Sequence, residues 1–316
     1  MALLTACGAG STGGGSAESA EDYPSKQLDW TIAFGPGGGN DIMARTMVDI
    51  LKKKKLYPED IRMENRDGGS GATGWGHLFS KRGDGYAIST TSGSFITTPM
   101  QAKTGWTWKD FTPVGLMATD NSLFTVNPKS NITTWEAWVD SAKEKGTVKV
   151  GGIGTVNVDF IQHAMLAQQA GYKIDYVPFN EEGQLITSLS SGALDAIVSN
   201  PSEVVGQIDA KKMNALLYTG KKPLPSHPHI PTGESLGYED LPSTPRGLIL
   251  APDAPEHAQK WWTDTMKKVV ATPEWKAYLK KNDLTPDERW GDDFTAYLQE
   301  TSGLLETKLR EQGALK

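Results

Sequence analysis

The stretch Leu28-Asp29-Trp30-Thr31-Ile32-Ala33-Phe34, followed by Gly35-Pro36-Gly37-Gly38-Gly39-Asn40-Asp41, decides the reading of this chain. Its first half is an apolar run of strand length, and its second is a glycine-rich turn. Beyond the turn the period changes. Met43, Met47, Ile50 and Leu51 fall on one face of a helix, with Asn40 or Asp41 as the expected cap. A strand, a glycine loop and a helix in that order place unpaired backbone N–H groups and the positive end of a helix dipole beside the loop. Such a site holds an anion without any lysine or arginine.

The unit recurs along the chain. Ile61–Asn65 leads through Gly68-Gly69-Ser70-Gly71 to a helix near Ala72–Lys81, and Tyr86–Thr91 leads to Ser92-Gly93-Ser94. Val148–Val150 leads through Gly151-Gly152-Ile153-Gly154-Thr155 to a helix carrying Ile161, Met165 and Gln168. This alternation predicts an α/β protein with mostly parallel sheets and helices on both faces. Leu185, Ile186 and Leu189 mark a helix stopped by Gly192, and Ala196–Val198 a strand. Near the end, Trp262, Met266, Val269 and Val270 share one helical face, Thr272-Pro273 opens another helix, and Phe294, Leu298, Thr301, Leu305 and Leu309 line a third. Phe124–Val126 and Gly247–Ala251 stand apart as strands and are read as crossings between two domains. The division is then a tether over residues 1–26, a first domain of 27–124 plus 246–316, and a second of 125–245.

At roughly 150 residues per domain, 316 residues suit two domains. With 32 Lys+Arg against 38 Asp+Glu the net charge is -6, which gives no bulk attraction to phosphate backbones, so nucleic acid is not an expected partner. No apolar run approaches the roughly 18 residues that cross a bilayer. A single cysteine makes neither an internal disulfide nor the paired thiolates of a structural zinc site. Cys7, in Leu4-Thr5-Ala6-Cys7-Gly8, resembles the lipobox of bacterial lipoproteins, and the Gly/Ser/Ala-rich run from Gly8 to Asp22 has the composition of a flexible tether. Met1–Ala6 are too short for a secretory signal, which is expected upstream.

Gly8–Gly13 and Gly69–Gly74 both spell G-x-G-x-x-G, but no strand precedes the first. The second lacks an acid at the end of the next strand, Ile88-Ser89-Thr90-Thr91-Ser92, where a dinucleotide ribose needs one. No Gly-Lys-Ser/Thr phosphate loop occurs. Gly68-Gly69-Ser70-Gly71-Ala72 falls one glycine short of a nucleophile elbow, so a serine hydrolase using Ser70 is the enzyme alternative. The five histidines offer it no evident partner, and no cofactor or metal is expected.

Phe34-Gly35-Pro36-Gly37-Gly38-Gly39-Asn40-Asp41-Ile42-Met43-Ala44-Arg45, Glu64–Gly74, Gly83-Asp84-Gly85-Tyr86 and Phe111-Thr112-Pro113-Val114 come in an order and spacing similar to those of the tripartite tricarboxylate transporter receptors, the Bug-type solute-binding proteins. Gly152–Thr155, Val177–Phe179, Ser191–Asp195 and Gly247–Pro252 continue the pattern over almost the whole chain. The resemblance implies a two-domain, type II periplasmic-binding-protein-like fold that is not an enzyme. It closes on a small carboxylate (a di- or tricarboxylate or an aromatic acid) and delivers it to a membrane permease. It implies an extracytoplasmic protein, with the lipid anchor at Cys7, and ligand binding by Gly35, Pro36, Gly37, Gly38, Gly39, Asn40 and Asp41 against Gly154, Thr155, Asn157 and Asp159. The facing loop departs from relatives in Thr155–Asp159, and Gln184 stands where they carry a glutamate.

From the residues themselves, the amides of Gly37–Asn40 and the Thr155 hydroxyl are the expected donors, and Ser92, Ser94, Asn200 and Glu203 follow strands that face the cleft. Asp41 is expected to hold the loop more than to touch ligand, since its charge repels a carboxylate. Arg45 and Arg66 are expected in intramolecular ion pairs.

Overall fold

The computed structural model describes residues 19–155 and 157–315. Cys7 and the tether up to residue 18 lie outside the described residues. The opening stretch forms β1 (Leu28–Ile32) and α1 (Gly39–Lys53), and β2 (Ile61–Asn65), α2 (Ala72–Phe79), β3 (Ala87–Thr90) and α3 (Gly93–Gln101) repeat the unit. β4 (Thr112–Asp120) then passes through Asn121 and Ser122 into β5 (Leu123–Val126). There follow α4 (Trp135–Lys145), β6 (Thr147–Ile153), α5 (Val158–Ala170), β7 (Lys173–Phe179), α6 (Glu182–Ser191), β8 (Ala196–Ser199), α7 (Pro201–Asp209) and β9 (Asn214–Tyr218). The chain returns in β10 (Thr244–Leu250) and ends with α8 (Glu256–Val270), α9 (Pro273–Lys281), β11 (Thr285–Trp290) and α10 (Asp292–Glu311).

Two sheets result, ordered β11-β4-β10-β3-β1-β2 and β7-β6-β8-β5-β9. Apart from β11 they share one plan. A parallel trio, β2-β1-β3 or β7-β6-β8, is followed by an antiparallel strand, β10 or β5, and then by β4 or β9. The expectation of mostly parallel sheets therefore holds only for the trios. β5 and β10 are each reached from the other sheet and not by a helical crossover beside their neighbour, so nothing obliges them to run parallel. The two isolated strands of the sequence reading lie wholly inside single sheets, Phe124–Val126 in the second and Gly247–Leu250 in the first. The passage between sheets is made at Asn121–Ser122 and between Tyr218 and Thr244.

Helices cover both faces of each sheet. Trp30, Met43, Met47, Trp262, Met266 and Trp275 fill the space under α1, α8 and α9. On the opposite face, Trp75, Phe95, Phe294 and Leu305 of α2, α3 and α10 form a second core, which Val158, Ile161 and Met165 of α5 join. The other side of α5, Leu166, Ala167 and Ala170, packs with Phe124 of β5 and with Trp135 and Trp138 of α4. One helix thus belongs to the cores of both sheets. The helix expected over Ala72–Lys81 stops at Phe79, where Ser80 donates its amide to Gly76 and His77.

Trp75 fixes the strand end that carries Ser92. It is fully buried, edge-on to Phe34 and Trp106, and its Nε1 donates to the Thr90 carbonyl at 3.0 Å. Trp75→Ala leaves a cavity and an unpaired carbonyl, with an expected loss of about 3–5 kcal/mol, read as a lower urea midpoint at unchanged slope.

Candidate functional site

The loops at the C-terminal ends of the parallel trios converge, as expected where open α/β sheets bind ligands. A Cβ on Gly93 would meet Val158 Cγ2 at 2.5 Å, and one on Gly154 would lie 3.4 Å from Ser70 Oγ. The structure thus brings the loops after β2 and β3 against the loop after β6.

In the first loop the helix cap is Gly38, not Asn40 or Asp41, and no side chain bonds the first turn of α1. The first intrahelical bond runs from Ile42 N to Gly38 O, so the amides of Gly39, Asn40 and Asp41 have no partner within the helix. Asp41 turns inward. Its carboxylate accepts from Gly37 N at 2.9 Å, from Arg45 Nε at 2.9 Å and from Asn65 Nδ2 at 2.9 Å, and it is almost fully buried. Burial opposes its charge, but Arg45, Gly37 and Asn65 together hold the carboxyl below the usual range. Asp41 is a strut beneath the loop, with its oxygens already engaged, and Arg45 and Arg66 are in intramolecular pairs with Asp41 and Glu64. A Cβ on Gly38 would meet only Gly35 O at 3.9 Å, and its φ of -78° suits any residue. No neighbour in the protein requires glycine there. Gly39 is different, because a Cβ would lie 2.5 Å from Arg246 Nη2.

The facing loop is built in the same way but with the opposite electrostatic outcome. Asn157 caps α5 through bonds from the amides of Asp159 and Phe160, and its own amide donates to Ile153 O. Those helix amides are therefore taken. Asp159 Oδ2 accepts from Ile153 N at 2.8 Å, as Asp41 does from Gly37, but no arginine pairs with it, and burial pushes it up to about 7. Gly154 is tied by Tyr176 Oη, which donates to its carbonyl at 3.0 Å, and Thr155 is exposed at the tip. At the next strand ends, Glu182 in the first turn of α6 accepts from Ser199 Oγ, and burial pushes it up to about 8. Glu203, in the first turn of α7, is raised by burial and by Asp120.

Arg246 and Asp120 lie where β10 enters and β4 leaves the first sheet. Both are buried, and Arg246 donates Nε to Asp120 Oδ2 at 3.1 Å and Nη2 to the same oxygen. Burial pushes the Asp120 carboxyl up despite the guanidinium and the Asn200 amide beside it, while Asp120 holds Arg246 charged against the same burial. Ser92, the cap residue of α3, and Asn40 each bury a side-chain oxygen without a protein partner, and Ser94 is buried beside Ser92. Arg246, Asp120 and Glu182 were missed in the sequence. Arg246 sits one residue before the apolar run that marks its strand, and only its position beside Gly39 reveals it. Ser70 reaches the cleft, yet among the described residues no hydrogen bond joins its hydroxyl to a histidine. His163 Nε2 is occupied by Gly151 O, and His227 by Asp209 and Ser226. Among the described residues no cluster of histidine, cysteine or carboxylate side chains has a metal-binding arrangement, and no helix is long and apolar enough to cross a membrane.

The raised carboxyls give a pH signature. A folded-state pKa above the unfolded value means that the folded state binds more protons, so stability falls as pH rises from about 4 to 7 for Asp159 and to about 8 for Glu182. Each contributes no more than about 5 kcal/mol. Glu182→Gln is expected to flatten the decline in melting temperature between pH 6 and 8, as thermal denaturation across that range will show.

The model for the family described as "Tripartite tricarboxylate transporter family receptor" matches residues 43–313. Protein BugT of Bordetella pertussis is 23% identical over 239 residues, which are 74% of this chain and 73% of that protein. Among solved structures, an R. palustris protein with adipate superimposes with a TM-score of 0.84 at 19% identity, covering 92% of this chain and 99% of that one. MatC from Rhodopseudomonas palustris with bound malate gives 0.81 at 17%, covering 91% and 100%. The two sheets with their converging loops are the type II periplasmic-binding-protein fold, and the chain belongs to the tripartite tricarboxylate transporter receptor family.

Proposed function

We propose that the protein is an extracytoplasmic receptor that captures a small carboxylate between its two sheets and delivers it to a tripartite tricarboxylate-type permease. The observation that carries this reading is the uncapped N-terminus of α1, whose first three amides have no partner within the helix, on a loop held from below by Asp41. Adipate and malate in two structural neighbours support a carboxylate as the ligand. In this reading Gly35, Pro36, Gly38, Gly39, Asn40 and Ser92 bind from the first domain, residues 27–124 with 246–316, whereas the Gly37 amide, expected as a donor, is already taken by Asp41. Thr155 and Asn200 bind from the second, residues 125–245. Asp41, Asn157 and Asp159 shape the loops, and the domains close over the ligand about the two passages between sheets. Cys7 carries a diacylglyceryl thioether that holds the protein to the outer face of the membrane.

Gly38→Val tests the loop. The free protein has room for the side chain, so folding is retained, while close approach of an anion to the amides is blocked. Calorimetry of the variant with the carboxylate that binds wild type is expected to show at least about tenfold weaker affinity, since each stranded donor costs about 1–3 kcal/mol. Equal affinity would remove this loop from the site. For the anchor, the chain expressed behind a lipoprotein signal is expected to sediment with membranes, and Cys7→Ser to be recovered without the lipid. An unmodified Cys7 in the wild-type protein by mass spectrometry would leave a secreted receptor.

A further inference from the structure

The two walls of the cleft have opposite electrostatic character. On the first, α1 offers an uncapped N-terminus, Asp41 is turned away and paired with Arg45, and α3 begins at Ser92 with no acid in its first turn. Arg246 lies against Gly39. It is 5% exposed, with Nε and Nη2 committed to Asp120, and no protein acceptor for Nη1 among the described residues. On the second wall every helix that begins at the end of the parallel trio brings its own acid, Asp159 in α5, Glu182 in α6 and Glu203 in α7. An acid at a helix N-terminus is ordinary on a solvated surface, where water carries the charge. Here all three are half-buried, and among the described residues no lysine or arginine forms an ion pair with any of them. Arg246, already paired with Asp120, is the one cation that acts on Asp159 and Glu203. Asp159 and Glu182 each spend one oxygen on a protein donor, Ile153 N and Ser199 Oγ, and the other oxygen of each takes none.

A ligand with two or three ionised carboxylates would set one against the first wall and press another onto a wall that is already acidic, where like charges on half-buried groups repel. A ligand with a cationic donor at its far end would instead supply the counter-charge that the wall lacks. Building on the carboxylate-receptor reading, we propose that this cleft is selective for a zwitterion, a small acid that also bears an ammonium group. Its carboxylate lies on the N-terminus of α1 beside Arg246 Nη1, and its ammonium lies among Asp159, Glu182 and Glu203. Buried Asn40 Oδ1 and Ser92 Oγ, which have no protein partner, are further polar contacts along the path between the two ends. Because the ammonium favours the ionised carboxyls, its binding releases protons and tightens as pH rises from 6 to 8. Binding of a dicarboxylate would weaken over the same interval.

The experiment is a calorimetric panel on the wild-type protein, using the standard α-amino acids and ω-amino acids of two to six carbons against dicarboxylates of equal carbon number and citrate. At least one amino acid is expected to bind tenfold or more tightly than any di- or tricarboxylate, with proton release seen as a buffer-dependent heat. In Glu182→Gln/Glu203→Gln, whose folding is checked by its melting curve, affinity for that amino acid is expected to fall at least tenfold while dicarboxylate affinity rises. If a dicarboxylate or citrate is the tight ligand of the wild type, the zwitterion proposal is overturned and the carboxylate-receptor reading stands. Unchanged amino-acid affinity in the double variant also overturns it. If no acid in the panel binds, the zwitterion proposal is overturned, and the carboxylate-receptor reading falls with it only if aromatic acids also fail to bind.

Discussion

A buried guanidinium and a buried carboxylate, Arg246 and Asp120, occupy the point where the chain leaves one sheet for the other. Removing one member of such a pair typically costs 3–5 kcal/mol, yet an apolar pair of equal volume often does as well or better, so stability alone does not explain an ion pair at this place. The geometry around it does. Arg246 rests on Gly39 and forces that residue to be glycine. Asp120 reaches toward Asn200 on the second sheet, and Glu203 lies within its electrostatic range. The pair therefore touches the first loop, both passages and the base of the second wall.

The internal likeness of the two halves sharpens what differs between them. Each half has the same order of five strands, and each binds an acid back to a loop amide, Asp41 to Gly37 and Asp159 to Ile153. In the first half Arg45 and Asn65 neutralise that acid and the helix end is left open. In the second half Asn157 closes the helix end and the acid is left uncompensated. Two copies of one backbone plan thus present opposite charge preferences to the same space, with no change in fold. Three side chains, Arg45, Asn65 and Asn157, make the difference.

The sequence carried the local units well and the long-range ones poorly. Glycine loops between apolar strands and periodic helices located β1, α1, β2, β6, α6 and the three C-terminal helices, since capping, turn chemistry and a buried face are all written within a few residues. Gly192 does end α6 in a left-handed cap, and Thr272 does accept from Trp275 N. β4, β9 and β11 left no clear signal, because antiparallel partners recruited from distant segments impose no local period. The cap of α1 was misplaced because Asn40 and Asp41 are good caps by type, whereas here Gly38 takes the position and Asp41 reaches back past it. Candidates after the glycine loops were read from one another's spacing. Arg246 and Glu182 enter the site by tertiary placement alone, and no spacing rule points to them.

The double allegiance of α5 bears on the energetics of any opening between the sheets. Val158, Ile161 and Met165 lie in the core with Phe95 and Leu309, while Leu166 and Ala170 lie in the core with Trp138. Parting the halves along this seam exposes apolar area to water, and hydration of such area carries a large positive heat capacity. The closed arrangement is then favoured as temperature rises through the ambient range, with water release as its entropic source. Heat-capacity changes measured on ligand uptake will therefore contain a contribution from this greasy seam that no ligand atom touches.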